Sequence, residues 1–246
     1  MGCGTENIKD KEFQDLNWWD PSITRDKLLS NLKSSAGAEV RVYIVRSTRL
    51  DKNLKVVRHL GSGPNLEGRL ATLCTCKHSM RHYHKCEDWK DRWILGLTSR
   101  DKNLGFNSEH YLFYIMKVEK AFESHKELYE YLDTEENRKY LHIKNAVNNR
   151  LGDIFEPKSS CTDIDSRDPK MYKTPHIKHS HGYHVDDDWI YDIADKNDEC
   201  APLLLGDKKN TFVWRQPMIK FTRNLCRGNE KLTLGEELFS LLEDCE

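Results

Sequence analysis

The run Tyr111-Leu112-Phe113-Tyr114-Ile115-Met116-Lys117-Val118 is the strongest strand signal in the chain, dense in aromatic and β-branched residues. The period changes immediately after it. Phe122, His125, Leu128, Tyr129 and Leu132 fall at three- and four-residue spacing, which predicts a helix between Ala121 and Leu132. Arg41–Arg46 and Trp93–Leu97 read as earlier strands, and Ala201–Leu205 and Phe212–Trp214 as short later ones. The order is therefore strands, helix, long loop, strands. It lacks the regular strand–helix alternation of a doubly wound fold, so the class expected is α+β.

The flanks are simpler. Residues 1–38 are polar around the aromatic island Trp18-Trp19-Asp20-Pro21, and Pro21 can open a short helix carrying Leu28, Leu29 and Leu32. Ser34–Ala38 reads as a linker, and His59–Asn65 as loop chemistry. Pro157–Asp198 is rich in Asp, His and Lys and poor in aliphatics, so it reads as a long functional loop or a partly disordered one. Thr233-Leu234-Gly235-Glu236 fits a capping box for a last helix bearing Leu234, Leu238, Leu241 and Leu242. The organisation expected is an N-terminal extension over 1–38, a main domain over 39–222 and a C-terminal helix over 223–246.

Lys and Arg total 39 against 40 Asp and Glu, so net charge is no reason to expect a polyanion partner, and any basic surface must be local. The eight cysteines are irregularly spaced, and Met1-Gly2-Cys3-Gly4 leads into charged residues rather than an apolar leader. Free thiols in a reducing compartment are expected, cytoplasmic or, in a eukaryote, nuclear. Glu6 stands where a myristoylation motif wants Ser or Thr. No apolar run approaches the roughly 20 residues that cross a bilayer, so no membrane association is expected.

Three constellations could carry chemistry. The first is Cys74, Cys76, His78, His82, His84 and Cys86, all at even positions, which on an extended strand would share a face. Cys and His are what zinc selects, and Cys74, Cys76, His82 and Cys86 could supply four ligands. Their spacing matches no standard finger, so buried thiols beside surface imidazoles is the competing reading, and no cofactor is the primary expectation. The second is His176, His179, His181 and His184 with Asp186-Asp187-Asp188, able to bind a transition metal or to supply acid–base groups near neutrality, against the reading of a solvated loop. The third interleaves cations and rings: Lys77, Arg81, Trp89, Arg92, Trp93, Tyr114, Trp189 and Trp214. Rings stack on bases and cations pair with phosphates, although such rings on strands are more often core.

The Walker A, dinucleotide-binding, nucleophile-elbow and HExxH motifs are all missing from the chain. Several other segments together resemble the second nucleotide modification associated domain family. Cys76, Lys77 and Arg81 resemble its Cys-Lys-Pro-x-Ile-Arg segment, with His78 and Met80 in place of Pro and Ile. Trp93-Ile94-Leu95-Gly96 resembles its Gly-Asp-Trp-Ile-x-Gly turn, with Asp91-Arg92 where the family has Gly-Asp. Arg41–Val45 and Leu112–Val118 resemble its first strand and its strand before a helix. Gly152-Asp153-Ile154-Phe155 resembles its Gly-Asp-Asn-Ile-Tyr, one residue short, and His179-Ser180-His181 stands near its His pair. Leu203–Asp207 and Phe212–Trp214 resemble its closing strands.

The resemblance implies a role linked to modified nucleotides in DNA, in modification or defence, without implying a reaction. The pattern is also similar to PUA-like domains, which implies a curved, barrel-like mixed sheet with flanking helices. The expected site is a nucleotide or modified-base pocket between residues 76–93 and 153–181, with DNA as the favoured partner. Lys77 and Arg81 would hold phosphate, Trp93 or Trp214 would stack, and Asp153 would read a base edge or ribose hydroxyl. His179 and His181 would be hydrogen-bonding or acid–base groups. Replacing Arg81 by Ala is expected to abolish binding and leave the melting temperature unchanged. An enzyme acting on nucleotides or bases with a His general base, and a zinc-stabilised interaction module, are the alternatives.

Overall fold

The structure is a computed structural model, and it describes residues 24–46, 48–59, 63–100, 109–145, 154–158, 167–173, 190–193, 200–223, 225 and 231–244. In chain order the elements are α1 (Arg25–Leu32), β1 (Glu39–Val45), β2 (Thr48–Leu50), β3 (Val56–His59), β4 (Thr72–Leu73), α2 (His78–Arg81) and α3 (Cys86–Trp89). Then come β5 (Trp93–Thr98), β6 (His110–Phe122), α4 (His125–Leu132), α5 (Arg138–Asn145) and α6 (Ile190–Ile193). The chain ends with β7 (Leu203–Val213), β8 (Ile219–Phe221), β9 (Lys231–Thr233), α7 (Glu236–Ser240) and β10 (Leu242–Asp244).

The class is α+β, built on an eight-stranded mixed sheet. One path runs β10-β8-β6-β5-β1-β9, while β7 pairs with β6 and carries β4 on its far side. Among the described strands of this sheet only β1 and β5 run parallel; the other pairs are antiparallel. β2 and β3 form a separate hairpin. The path ends, β9 and β10, do not pair with each other, so the described strands do not close into a barrel.

The dominant strand signal becomes β6, longer at both ends than its sequence run. Its alternation slips where it faces β5. Gly96 pairs with Tyr114 and Leu97 with Leu112, leaving Phe113 as the extra residue of a bulge. Leu112 and Ile115 therefore face one side, while Phe113, Tyr114, Met116 and Val118 pack into the core on the other. The slip matters because it turns Tyr114 to the same side as Tyr43 of β1, with Gly96 between them in register.

The flanks join the body rather than hanging from it. Leu28 and Leu32 of α1 pack with Val40, Leu95, Leu112, Leu234, Leu238 and Leu242 in one core, so burial is continuous across positions 38 and 222. Ser34–Ala38 is not a free linker. A 3₁₀ turn leads to Gly37 in the left-handed region (φ +87°), and the Gly37 N–H donates to Leu234 O at 2.7 Å. α4 starts later than its periodicity suggests because Ala121 and Phe122 still pair with β7. Ser124 then caps it, accepting the Glu127 N–H at 3.2 Å. At the C-terminus Thr233 belongs to β9, and Leu242 pairs with Phe221 in β8, so the expected long helix is only α7. Residues 74–86 are not extended either: α2 and the start of α3 lie there, so the even positions do not share a strand face. No described helix is long and apolar enough to cross a membrane.

Candidate functional site

Side chains alternate along a strand, so Glu39, Arg41 and Tyr43 share one face of β1. The segment from Cys76 to His84 lies over that face contact by contact. Cys76 Sγ is 2.9 Å from Tyr43 Oη, the Arg41 guanidinium carbon is 4.3 Å from the Tyr83 ring centre, and His84 Nε2 is 2.7 Å from Glu39 Oε1. Lys77 opens the segment in the left-handed region (φ 58°), unusual for a residue with a side chain. Its carbonyl accepts the N–H groups of Met80 and Arg81, both at 2.9 Å, which starts α2.

Beneath this turn lies a polar cluster inside the core. Arg81 is fully buried and clamps two chain segments: Nε donates to Cys76 O at 2.8 Å, and Nη1 donates to Ala201 O and Pro202 O at 2.7 and 2.9 Å. The buried Asp192 of α6 accepts from His78 Nε2 at 3.1 Å, and its carbonyl accepts from His125 Nε2 at 3.2 Å. A carbonyl only accepts, so Nε2 of His125 carries the proton and Nδ1 is a bare lone pair. The His125 ring sits 4.4 Å from that of Phe155 and 6.4 Å from that of Tyr172. Arg81 Nη2, Tyr114 Oη and His125 Nδ1 are buried without a hydrogen-bond partner.

Burial sets the charge states. It pushes the Tyr43 and Tyr114 phenols up, and lifts the Cys76 thiol to about 12 despite the bond from Tyr43 and the nearby Arg81. Burial drives His125 down to about 3, against the opposing pull of Asp192. The cluster thus presents neutral phenols, a neutral thiol and a neutral imidazole around the Arg81 and Asp192 charges. Such groups are built for hydrogen bonding. A thiol this weakly acidic is a poor nucleophile, and an imidazole this depressed is a poor base near neutrality. Lys77 is half-buried at the rim, its ammonium 5.2 Å from the Tyr43 ring centre and its pKa lowered by burial.

These shifts carry a stability consequence. Between pH 6.5 and about 3 the unfolded chain protonates His125 while the folded chain does not, so stability falls as pH falls through that window. Burial alone would raise the Glu39 carboxyl, but hydrogen bonds from His84, Lys231 and Arg41 hold it at about 2, so its stabilisation is lost below pH 4.5. His125→Phe is expected to flatten part of the loss between pH 6.5 and 4.5, leaving the share of His110, which burial lowers in the same direction. Urea titrations at stepped pH check this, and an unchanged slope in that interval would contradict it.

Of the residues expected in the site, the structure brings Lys77 and Arg81 together. Trp93 and Trp214 are buried in the core on the opposite side of the sheet, with Leu28, Leu95 and Leu238, and show no open ring face. Asp153, His179 and His181 lie outside the described residues. The four candidate zinc ligands scatter: Cys74 is buried with Phe122 and Leu128, Cys76 meets Tyr43, His82 is exposed, and Cys86 is half-buried near Glu123 and Cys200. Among the described residues no three His, Cys, Asp or Glu side chains form a metal-sized group.

Tyr43, Tyr114, His125 and Asp192 are the residues the sequence did not mark as one site. His125 offered a signal, since it is a polar residue on the apolar stripe of a predicted helix. Tyr43 and Asp192 offered none, because their partners lie 33 and 114 residues away in the chain.

No curated protein and no solved structure matches the chain. A family model described as nucleotide modification associated domain 2 matches residues 54–195, more than half of the chain. The matched span holds Cys76, Lys77, Arg81, Tyr114, His125 and Asp192, and only Tyr43 of the cluster stands before it. With the Cys76–Arg81 segment, the Trp93–Gly96 strand and the buried cluster all in that span or paired to it, the chain belongs to the nucleotide modification associated domain 2 family.

Proposed function

We propose that the cluster under the Cys76–Arg81 turn receives the base of a nucleotide, modified or unmodified, and that the protein recognises modified nucleotides in DNA. One observation carries this reading: three buried polar atoms, Arg81 Nη2, Tyr114 Oη and His125 Nδ1, share one region and have no partner. Each costs about 1–3 kcal/mol if left unsatisfied, and a ligand offering matching groups would recover it. Arg81 offers a donor, His125 an acceptor and Tyr114 either, and the edge of a base carries both kinds side by side. Lys77 at the rim would meet phosphate. Trp93 and Trp214, buried behind the sheet, do not supply a stacking face. Asp153 keeps its proposed role at a base edge or ribose hydroxyl.

A second reading, an enzyme with His179 or His181 as general base, is favoured by one observation: α6, which begins nine residues after His181, is anchored on the cluster through Asp192. One experiment separates the two. The protein is incubated with a panel of nucleotides and modified oligonucleotides, and both ligand-induced stabilisation and product mass are read. A Tm rise with no new mass supports recognition, and turnover supports the enzyme. Lys77→Gln is expected to weaken binding at least 10-fold while the ligand-free Tm stays within about 2 °C, since one half-exposed charge is removed and the backbone is unchanged. Parent-like binding by this variant would remove the phosphate role.

A further inference from the structure

We propose that the physiological ligand is a single-stranded nucleic acid rather than a free nucleotide, held beside the cluster by a platform made of Tyr83, Arg41, Arg92 and Lys231. The identity of the base rests on the reading above; the platform stands on its own geometry.

Tyr83 is 53 % exposed, the most exposed large apolar side chain among the described residues. It is nevertheless held firmly. The Arg41 guanidinium covers one ring face at 4.3 Å, and the next residue, His84, is pinned to Glu39 at 2.7 Å and set edge-on to the buried Trp89 at 5.1 Å. A rigid ring with a cation behind it and solvent in front is a stacking surface for a base of any sequence. A free nucleotide seated in the cluster would leave this second ring without a purpose.

The charges around it point the same way. Glu39 meets three permanent cations, Arg41 at 2.7 Å, Lys231 at 3.1 Å and Arg92 at 4.0 Å. One carboxylate against three cations leaves two positive charges in excess, although the whole chain carries a net charge of −1. Lys231 is 60 % exposed and Arg92 30 %, so the excess faces solvent. Phosphates are the anions a stacked strand would bring there. Position completes the case. Arg41 and Tyr43 are successive residues on one face of β1, roughly 7 Å apart, so a strand stacked on Tyr83 offers its neighbouring nucleotide to Lys77, whose ammonium lies over the buried Tyr43 ring.

The test is fluorescence anisotropy of a labelled single-stranded DNA of about 12 nucleotides, with a mononucleotide and a polyglutamate peptide of equal charge as competitors. The parent should bind the oligonucleotide more tightly than the mononucleotide, and polyglutamate should compete poorly. Tyr83→Ala should weaken oligonucleotide binding about 5- to 100-fold, and Tyr83→Phe should retain it. Lys231→Ala should reduce the salt slope by about 0.7, as expected for one lost phosphate contact. No oligonucleotide binding by the parent, parent-like binding by Tyr83→Ala, or equal competition by polyglutamate overturns the proposal. Mononucleotide binding that Lys77→Gln abolishes, together with oligonucleotide binding that Tyr83→Ala leaves unchanged, would show the platform failing while the base site stands.

Discussion

Gly96→Ala is expected to destabilise the protein by about 3 kcal/mol, a fall of roughly 6–12 °C in Tm for a domain of this size. A β-carbon built on Gly96 would stand 1.9 Å from Cε1 and 2.2 Å from Cδ1 of Tyr114. The ring lies flat across the strand and cannot swing aside, because Tyr114 is fully buried and its neighbours in the core are packed. The backbone cannot retreat, because β5 is held by β1 on one edge and β6 on the other. The glycine is therefore a requirement of the site. It forms the floor between Tyr43 and Tyr114, and without it the two phenols could not both lie over the sheet. A double-mutant cycle with Tyr114→Leu tests this. Removing the ring should make the alanine less costly, with a favourable coupling of at least about 1 kcal/mol. Additive effects would show that the strain arises elsewhere.

Arg81→Met should be equally damaging, by about 3–5 kcal/mol. Methionine replaces the stem as far as the position of Nε and donates nothing. The carbonyls of Cys76, Ala201 and Pro202 would lose a charged donor in a region closed to water. Those bonds join the α2 turn to the start of β7, a link spanning 120 residues, so the loss should loosen the whole roof of the cluster. Arg81→Lys should recover only a part, since an ammonium cannot present the planar fork that reaches both segments. Urea denaturation reads the effect, and a variant as stable as the parent would refute the clamp. The sequence alone had suggested the opposite, an Arg81 whose loss spares stability. Burial corrects that expectation: the side chain is a structural clamp, with one nitrogen, Nη2, buried without a hydrogen-bond partner.

The two cases show where local pattern stops. Period and residue type located β1, β5, β6 and α4, because each buries a continuous stripe that only one spacing can produce. The resemblance of several segments, Cys76, Lys77 and Arg81 among them, rather than period, pointed to the family. Period and residue type did not reveal the shape of residues 74–86, whose even-spaced Cys and His would share a face only on an extended strand; α2 and α3 formed instead. Glu39, Tyr43 and Arg41 draw His84, Cys76 and Tyr83 onto β1, and those contacts outweigh a weak local preference. The tryptophans show the reverse error. A ring can stack on a base only where it meets solvent, and no local feature says which side of the sheet Trp93 and Trp214 will occupy.

The amino-acid order alone determined the fold class, the central strand, the following helix and the identity of the family, since each depends on neighbours within a few turns of chain. Only the tertiary structure decided that Tyr43, Cys76, Arg81, Tyr114, His125 and Asp192 meet. That meeting depends on a one-residue bulge at Phe113, a glycine opposite a tyrosine and an arginine shared between distant segments. Such features act through contacts far apart in sequence, and their energies come from burial, which no linear pattern encodes.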